Sequence, residues 1–154
     1  MNNISRITSF EVDHDKISEG IYISRIDGDI TTYDMRTRKP NGGYYMDNVT
    51  IHTFEHMFAT YVRNSDISDS VIYFGPMGCR TGFYLLVRDV EKEKVLSVVK
   101  ETLKKITEHQ GAVFGATRKE CGNYRLLRLS SAKKEAKRYL DILNTSKNSF
   151  IYGE

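Results

Sequence analysis

The run His52-Thr53-Phe54-Glu55-His56 carries the residue types best suited to chemistry in this sequence. On a helix, positions four apart lie one turn apart on one face, so two imidazoles at this spacing can share a divalent metal ion. Glu55, three residues after His52, edges onto the same face, close to the ion but free to move protons. The letters also fit H-x-x-E-H, the inverted zinc-protease signature, in which the glutamate activates a metal-bound water. A lone histidine on a helix is more often a hydrogen-bonded surface or core residue; the pair with an intervening Glu favours metal binding. Catalytic metal sites usually take three protein ligands and keep one position open. Cys121, between Glu120 and Gly122-Asn123, is a candidate third ligand, because a thiolate binds zinc or ferrous iron well. Its alternative is a small buried hydrophobe. Cys79 lies between Gly75-Pro76-Met77-Gly78 and Arg80-Thr81-Gly82. Flanking glycines leave its sulfur room to be exposed, and a nearby cation or metal would supply thiolate at neutral pH. A nucleophile or base, a fourth metal ligand and a second buried cysteine are the readings open for it.

These residues need elements to hold them. Ile51, Phe54, Phe58, Tyr61 and Val62 recur at helical intervals opposite the histidines, predicting a helix over 48–63 with Asp47 or Asn48 as its cap. Residues 4–14 alternate loosely and read as an extended segment ending near His14. Two β-rich runs, 21–26 and 30–35, are joined around Asp27-Gly28 as a hairpin. Residues 36–43 form a polar loop. Short strands are expected at 71–74 and 82–88, on either side of Cys79. Asp89 is expected to cap a helix over 90–109 whose buried stripe is Val95, Val98, Val99, Thr102 and Ile106. Ser130 is expected to cap a last helix to about Asn144, with Ala132, Ala136, Tyr139, Leu140 and Leu143 on one side. The tail, 145–154, has no assigned place. This order suits an α+β fold: a largely antiparallel sheet of about four strands backed by helices on one face, in a single domain spanning 1–154.

Composition sets the outer limits. The chain has 154 residues, 40% hydrophobic and 28% charged, as ordinary globular proteins do. A net charge of +3 is too small to argue for nucleic acid. No apolar run approaches membrane-spanning length and the N-terminus lacks the hydrophobic core of a signal peptide, so a cytoplasmic protein that does not bind membranes is expected. In that reducing setting the two cysteines are poor candidates for a disulfide.

Taken together, His52-Thr53-Phe54-Glu55-His56, Gly75 to Gly82 and Glu120-Cys121-Gly122-Asn123 resemble S-ribosylhomocysteine lyase, the LuxS family. Ser9-Phe10-Glu11-Val12-Asp13-His14, Tyr33-Asp34-Met35-Arg36 and Pro40-Asn41 extend the likeness, in order, over nearly the whole chain. The resemblance implies cleavage of S-ribosylhomocysteine into homocysteine and 4,5-dihydroxy-2,3-pentanedione, the precursor of a quorum-sensing autoinducer. It implies a homodimer with two sites at the subunit interface, and one divalent metal per subunit, typically Fe(II) with Zn or Co able to replace it. His52, His56 and Cys121 would bind the metal; Cys79 and Glu55 would be acid/base residues. Ser9, His14 and Arg36 would line the pocket, some of them reaching it from the other subunit.

The chain departs from the family pattern at Tyr73, where an acidic residue often helps hold the homocysteine end, and in the short 64–70 loop. The rival readings are a small metallohydrolase using Glu55 on water, which would not need Cys79, and a non-catalytic metal-binding domain closed by Cys79 as fourth ligand.

Overall fold

The computed structural model describes residues 3–153. Met1, Asn2 and Glu154, at the ends of the expected domain and tail, lie outside the described residues. Four strands form one antiparallel sheet in the order β1-β2-β4-β3: β1 Gly20–Asp27, β2 Ile30–Arg36, β3 Val71–Pro76 and β4 Gly82–Arg88. Three long helices, α2 Asn48–Val62, α3 Lys92–Glu108 and α4 Leu129–Thr145, back it on one face; a four-residue turn of helix, α1, spans Thr8–Glu11. The expected α+β architecture is the one observed.

The period-two pattern of the strands decides which side is buried. Ile21, Tyr33, Met35, Phe83, Leu85 and Val87 face the helices and join their apolar stripes in one core. Four phenylalanines form its centre: Phe54 stacks on Phe83 with ring centroids 4.6 Å apart, and Phe58 on Phe74 at 4.4 Å. Removing one such fully buried ring costs about 3–5 kcal/mol, so this stack fixes α2 on the sheet and with it the direction of His52 and His56. The stripes expected on the helices are buried or partly buried, joined by Met57 on α2 and Leu103 on α3.

Helix starts follow the sequence unevenly. Asp47 caps α2 as expected, its carboxylate accepting from the Thr50 amide at 2.8 Å. Asp89 does not cap α3. It adopts a left-handed φ of 50° and donates its amide to the Asp29 carbonyl at 2.7 Å, so the helix starts later, with Glu91 at the cap position. The long-range bond to the β1–β2 hairpin wins over the local cap. Ser130 falls inside the first turn of α4, whose cap position is Arg128, because Arg128 donates its amide to Thr53 Oγ1 on α2 at 2.9 Å. The hairpin turn is Gly28-Asp29, one residue later than expected.

Residues 4–14 are not extended throughout. Α short helix, α1, forms there, followed by a 3-10 turn over His14–Lys16 that Asp13 caps. Loose alternation without a partner strand left local turn chemistry to decide.

The tail also has a place. Phe150 is buried and makes a parallel bridge to Tyr22, accepting from the Ile23 amide at 2.9 Å. Its ring meets Tyr33 edge-on at 6.2 Å, and Tyr152 stacks on Tyr22 at 4.9 Å.

Candidate active site

The histidines stand where the helix reading puts them, one turn apart on α2, with ring centroids 4.6 Å apart. Each ring is oriented by main chain. His52 Nδ1 donates to the Leu126 carbonyl at 2.7 Å and His56 Nδ1 to the Phe114 carbonyl at 2.8 Å. A carbonyl only accepts, so both imidazoles carry their proton on Nδ1 and offer an Nε2 lone pair, the tautomer a metal ligand needs. Cys121 Sγ lies 3.4 Å from His52 Nε2, and the donor atoms of His52, His56 and Cys121 all fall within 4.8 Å of one another. Ligand atoms about 2.1–2.3 Å from a tetrahedral ion are separated by about 3.5 Å; the Cys121–His52 separation matches this, and the three donors are gathered closely enough to be drawn onto one divalent metal. The soft thiolate beside two imidazoles is a donor set for zinc or ferrous iron.

An irregular segment, 109–128, supplies Cys121 and both carbonyls. Gly115, at φ +67°, brings it close to α2: a Cβ there would sit 3.2 Å from His56 Nδ1. Tyr61, His109 and Phe114 pack edge to face beside it, with His109 bonded to the Tyr61 hydroxyl at 2.7 Å and to the Ala112 carbonyl at 2.9 Å. That cluster holds the Phe114 carbonyl in place against His56.

Cys79 belongs to a different construction, at the turn between β3 and β4. The turn closes through Arg80 N to Met77 O at 3.1 Å and Met77 N to Gly82 O at 2.9 Å, with Arg80 at a left-handed φ of 65°. Gly82 must be glycine, since a Cβ would stand 2.4 Å from the Met35 carbonyl oxygen. Cys79 is exposed, which removes the buried-packing reading, and among the described residues it is not one of the three that gather as metal donors. Its sulfur is 2.9 Å from Thr81 Oγ1 and 4.0 Å from Arg36 Nη1.

Arg36 itself is 2% exposed and paired along its own strand. Asp34, two residues back and on the same sheet face, takes its guanidinium through Nε at 3.0 Å and Nη2 at 2.6 Å, while Nη1 donates to Thr81 at 2.9 Å. Burial works against the charge on Arg36, but Asp34 outweighs it and holds its pKa above the usual value. Tyr152 donates to the same Asp34 carboxylate at 2.7 Å; burial first, and Asp34 second, push its phenol up, so it stays a donor.

Glu55 sits between the two histidines on α2, partly buried. Ser9 and His14 are not joined to either cluster by hydrogen bonds among the described residues. Ser9, in α1, lines a depression of about 400 Å³ on the sheet face away from the helices, with Thr32, Tyr73, Tyr84 and Leu86. His14 opens the 3-10 turn, its Nδ1 bonded to the Val12 carbonyl at 2.9 Å. Tyr73 is half exposed on edge strand β3, its ring over Gly75. Sequence reasoning did not single out Thr81, Gly115, Tyr152 or a role for Asp34. The Asp34-x-Arg36 alternation was a visible signal for one face; nothing local marks Tyr152.

Known proteins resemble this chain along its length. The family described as S-Ribosylhomocysteinase (LuxS) matches residues 7–149. The S-ribosylhomocysteine lyase of Finegoldia magna is 42% identical, covering 98% of this chain and 100% of its own. That of Borreliella burgdorferi is 43% identical, covering 94% and 96%, and that of Phocaeicola vulgatus 44% identical, covering 87% of each.

Proposed function

The chain belongs to the S-ribosylhomocysteinase (LuxS) family, and on that premise we propose that it is a carbon–sulfur lyase cleaving S-ribosylhomocysteine to homocysteine and 4,5-dihydroxy-2,3-pentanedione. Residues 1–154 act as one lyase domain, in the cytoplasm. The observation that carries the reading is the convergence of the His52, His56 and Cys121 donor atoms within 4.8 Å. These three would hold one divalent metal per subunit, Fe(II) with Zn or Co able to replace it. When bound, the metal supplies Lewis-acid stabilisation of negative charge building on the sugar's oxygens.

The rest of the chemistry is proton transfer. A thioether sulfur leaves only when a carbonyl stands two carbons away, so the sugar's carbonyl must migrate along the chain first. Each migration takes the proton from the hydroxyl-bearing carbon beside the carbonyl and returns one to the former carbonyl carbon. Cys79 carries the early transfers, giving up and taking back its thiol proton in turn, with the Arg36 guanidinium 4.0 Å from its sulfur. Glu55 carries the later ones: it removes the proton next to the final carbonyl as the C–S bond breaks, the electron pair leaving with sulfur. Homocysteine departs as a thiol, so thiol release reads the reaction directly.

Ser9, His14 and Arg36 line the substrate pocket, in a homodimer whose two sites lie at the interface. Exposed Ile7, Phe10 and Tyr73, at 58%, 63% and 50%, support an interface on the sheet face away from the helices. The experiment is anaerobic thiol release from S-ribosylhomocysteine by wild type, by Cys79→Ala and by a chelated sample. Release by wild type, lost in both others, is expected. No release by metal-loaded wild type overturns the reading, and full activity in Cys79→Ala would favour a hydrolase using Glu55 instead.

A further inference from the structure

Arg36 can act on Cys79 only if its guanidinium is held, and the structure shows what holds it from behind. Both Asp34 oxygens are occupied by the Arg36 fork, and Oδ2 takes in addition the hydroxyl of Tyr152, from the far end of the chain. Asp34 is 1% exposed, so no water replaces a lost donor freely. The tail that presents Tyr152 is itself fixed: the Phe150 carbonyl accepts from the Ile23 amide on β1, the Phe150 ring is buried against Tyr33, and Tyr152 stacks on Tyr22.

We infer that Tyr152 is a positioning residue: through Asp34 it fixes the fork of Arg36 so that Nη1 faces Thr81 and the Cys79 sulfur. The C-terminal tail thereby completes the acid/base site from the opposite edge of the sheet. Without the phenol, Asp34 must satisfy its free lone pair from the guanidinium, drawing Nη1 off Thr81 and Cys79. This rests on the reading of Cys79 as the acid/base residue, but its first test does not need turnover.

The test compares the rate at which iodoacetamide labels Cys79 at pH 7, read by peptide mass so that Cys121 is counted apart, in the metal-loaded full chain. Tyr152→Phe keeps the ring on Tyr22 and removes only the hydroxyl. Labelling is expected to slow about tenfold, the size of one hydrogen bond to a charged group at the low end, and kcat to fall by a similar factor with KM and metal content unchanged. Ile151→Ala, on the same tail but exposed, is expected to label at the wild-type rate. In an Arg36→Lys background, which has no fork to hold, adding Tyr152→Phe is expected to change nothing further. Wild-type labelling in Tyr152→Phe overturns the inference; so does equal slowing by Ile151→Ala, or an unchanged Tyr152→Phe factor in the Arg36→Lys background. If wild type releases no thiol, the lyase reading fails, while the labelling comparison still decides whether Tyr152 acts through Arg36.

Discussion

The two halves of the site are oriented by opposite means. His52 and His56 are aimed by main-chain carbonyls, those of Leu126 and Phe114. Cys79 and Arg36 are aimed by side chains, those of Asp34, Thr81 and Tyr152. A carbonyl survives any substitution at its own residue, so the metal half is insensitive to the identity of its orienting positions and sensitive to the path of the backbone. The thiol half is the reverse. Each orienter there can be lost by one substitution, and the buried Asp34–Arg36 pair is costly to break because it leaves an unpaired charge in the interior.

That contrast can be broken at several points. The largest effect is expected from His56→Ala, which removes a donor and should abolish both stoichiometric metal binding, measured by elemental analysis, and thiol release. Cys79→Ala should lower kcat about 10²–10⁴-fold, the usual worth of a positioned acid/base group, with the metal retained; loss of the metal would instead make Cys79 a ligand. Gly115→Ala probes backbone path: a Cβ 3.2 Å from His56 Nδ1 at a left-handed φ should cost about 1–2 kcal/mol of stability and weaken metal affinity in a competition titration. Leu126→Ala should leave that affinity nearly unchanged, whereas Thr81→Val should lower kcat about tenfold through a lost hydrogen bond to a charged group. Equal effects from Leu126→Ala and Thr81→Val would erase the distinction. The smallest effect concerns alkaline pH. Burial first, and the Asp34 charge second, hold the Tyr139 and Tyr152 phenols above their ordinary value of about 10. The unfolded chain therefore releases these protons before the folded one does. Their contribution is complete below about pH 10 and is lost as pH rises beyond it; melting temperatures should fall above that point, and less steeply in Tyr139→Phe.

The same contrast explains what could be read from the sequence. His52, Glu55 and His56 announce themselves because a helix turns fixed spacing into fixed geometry, and the Phe54–Phe58 stripe opposite them gives the helix independently. The strands flanking Cys79, the antiparallel sheet and the α3 stripe follow from short-range periodicity. Cys121 reads equally as ligand or packing because segment 109–128 has no period, and its path is set by bonds to α2 at His52, Thr53 and His56. Asp89 and Ser130 had the right type for caps and lost to long-range bonds. Tyr152 was beyond reach: it meets Asp34 across 118 positions, and only the assembled sheet brings them together.

The bridge from Phe150 to β1 has a consequence apart from the site. Sheets end in strands whose outer amides and carbonyls invite another chain, the route to domain swapping and aggregation. In this order β1 and β3 are the two edges. β3 is short and closes on Pro76, which offers no amide. β1 is longer, at eight residues, and the tail's Phe150 carbonyl already occupies its Ile23 amide. Phe150 thus covers part of the sheet's longer margin, and a chain trimmed before it would carry a more open edge into solution.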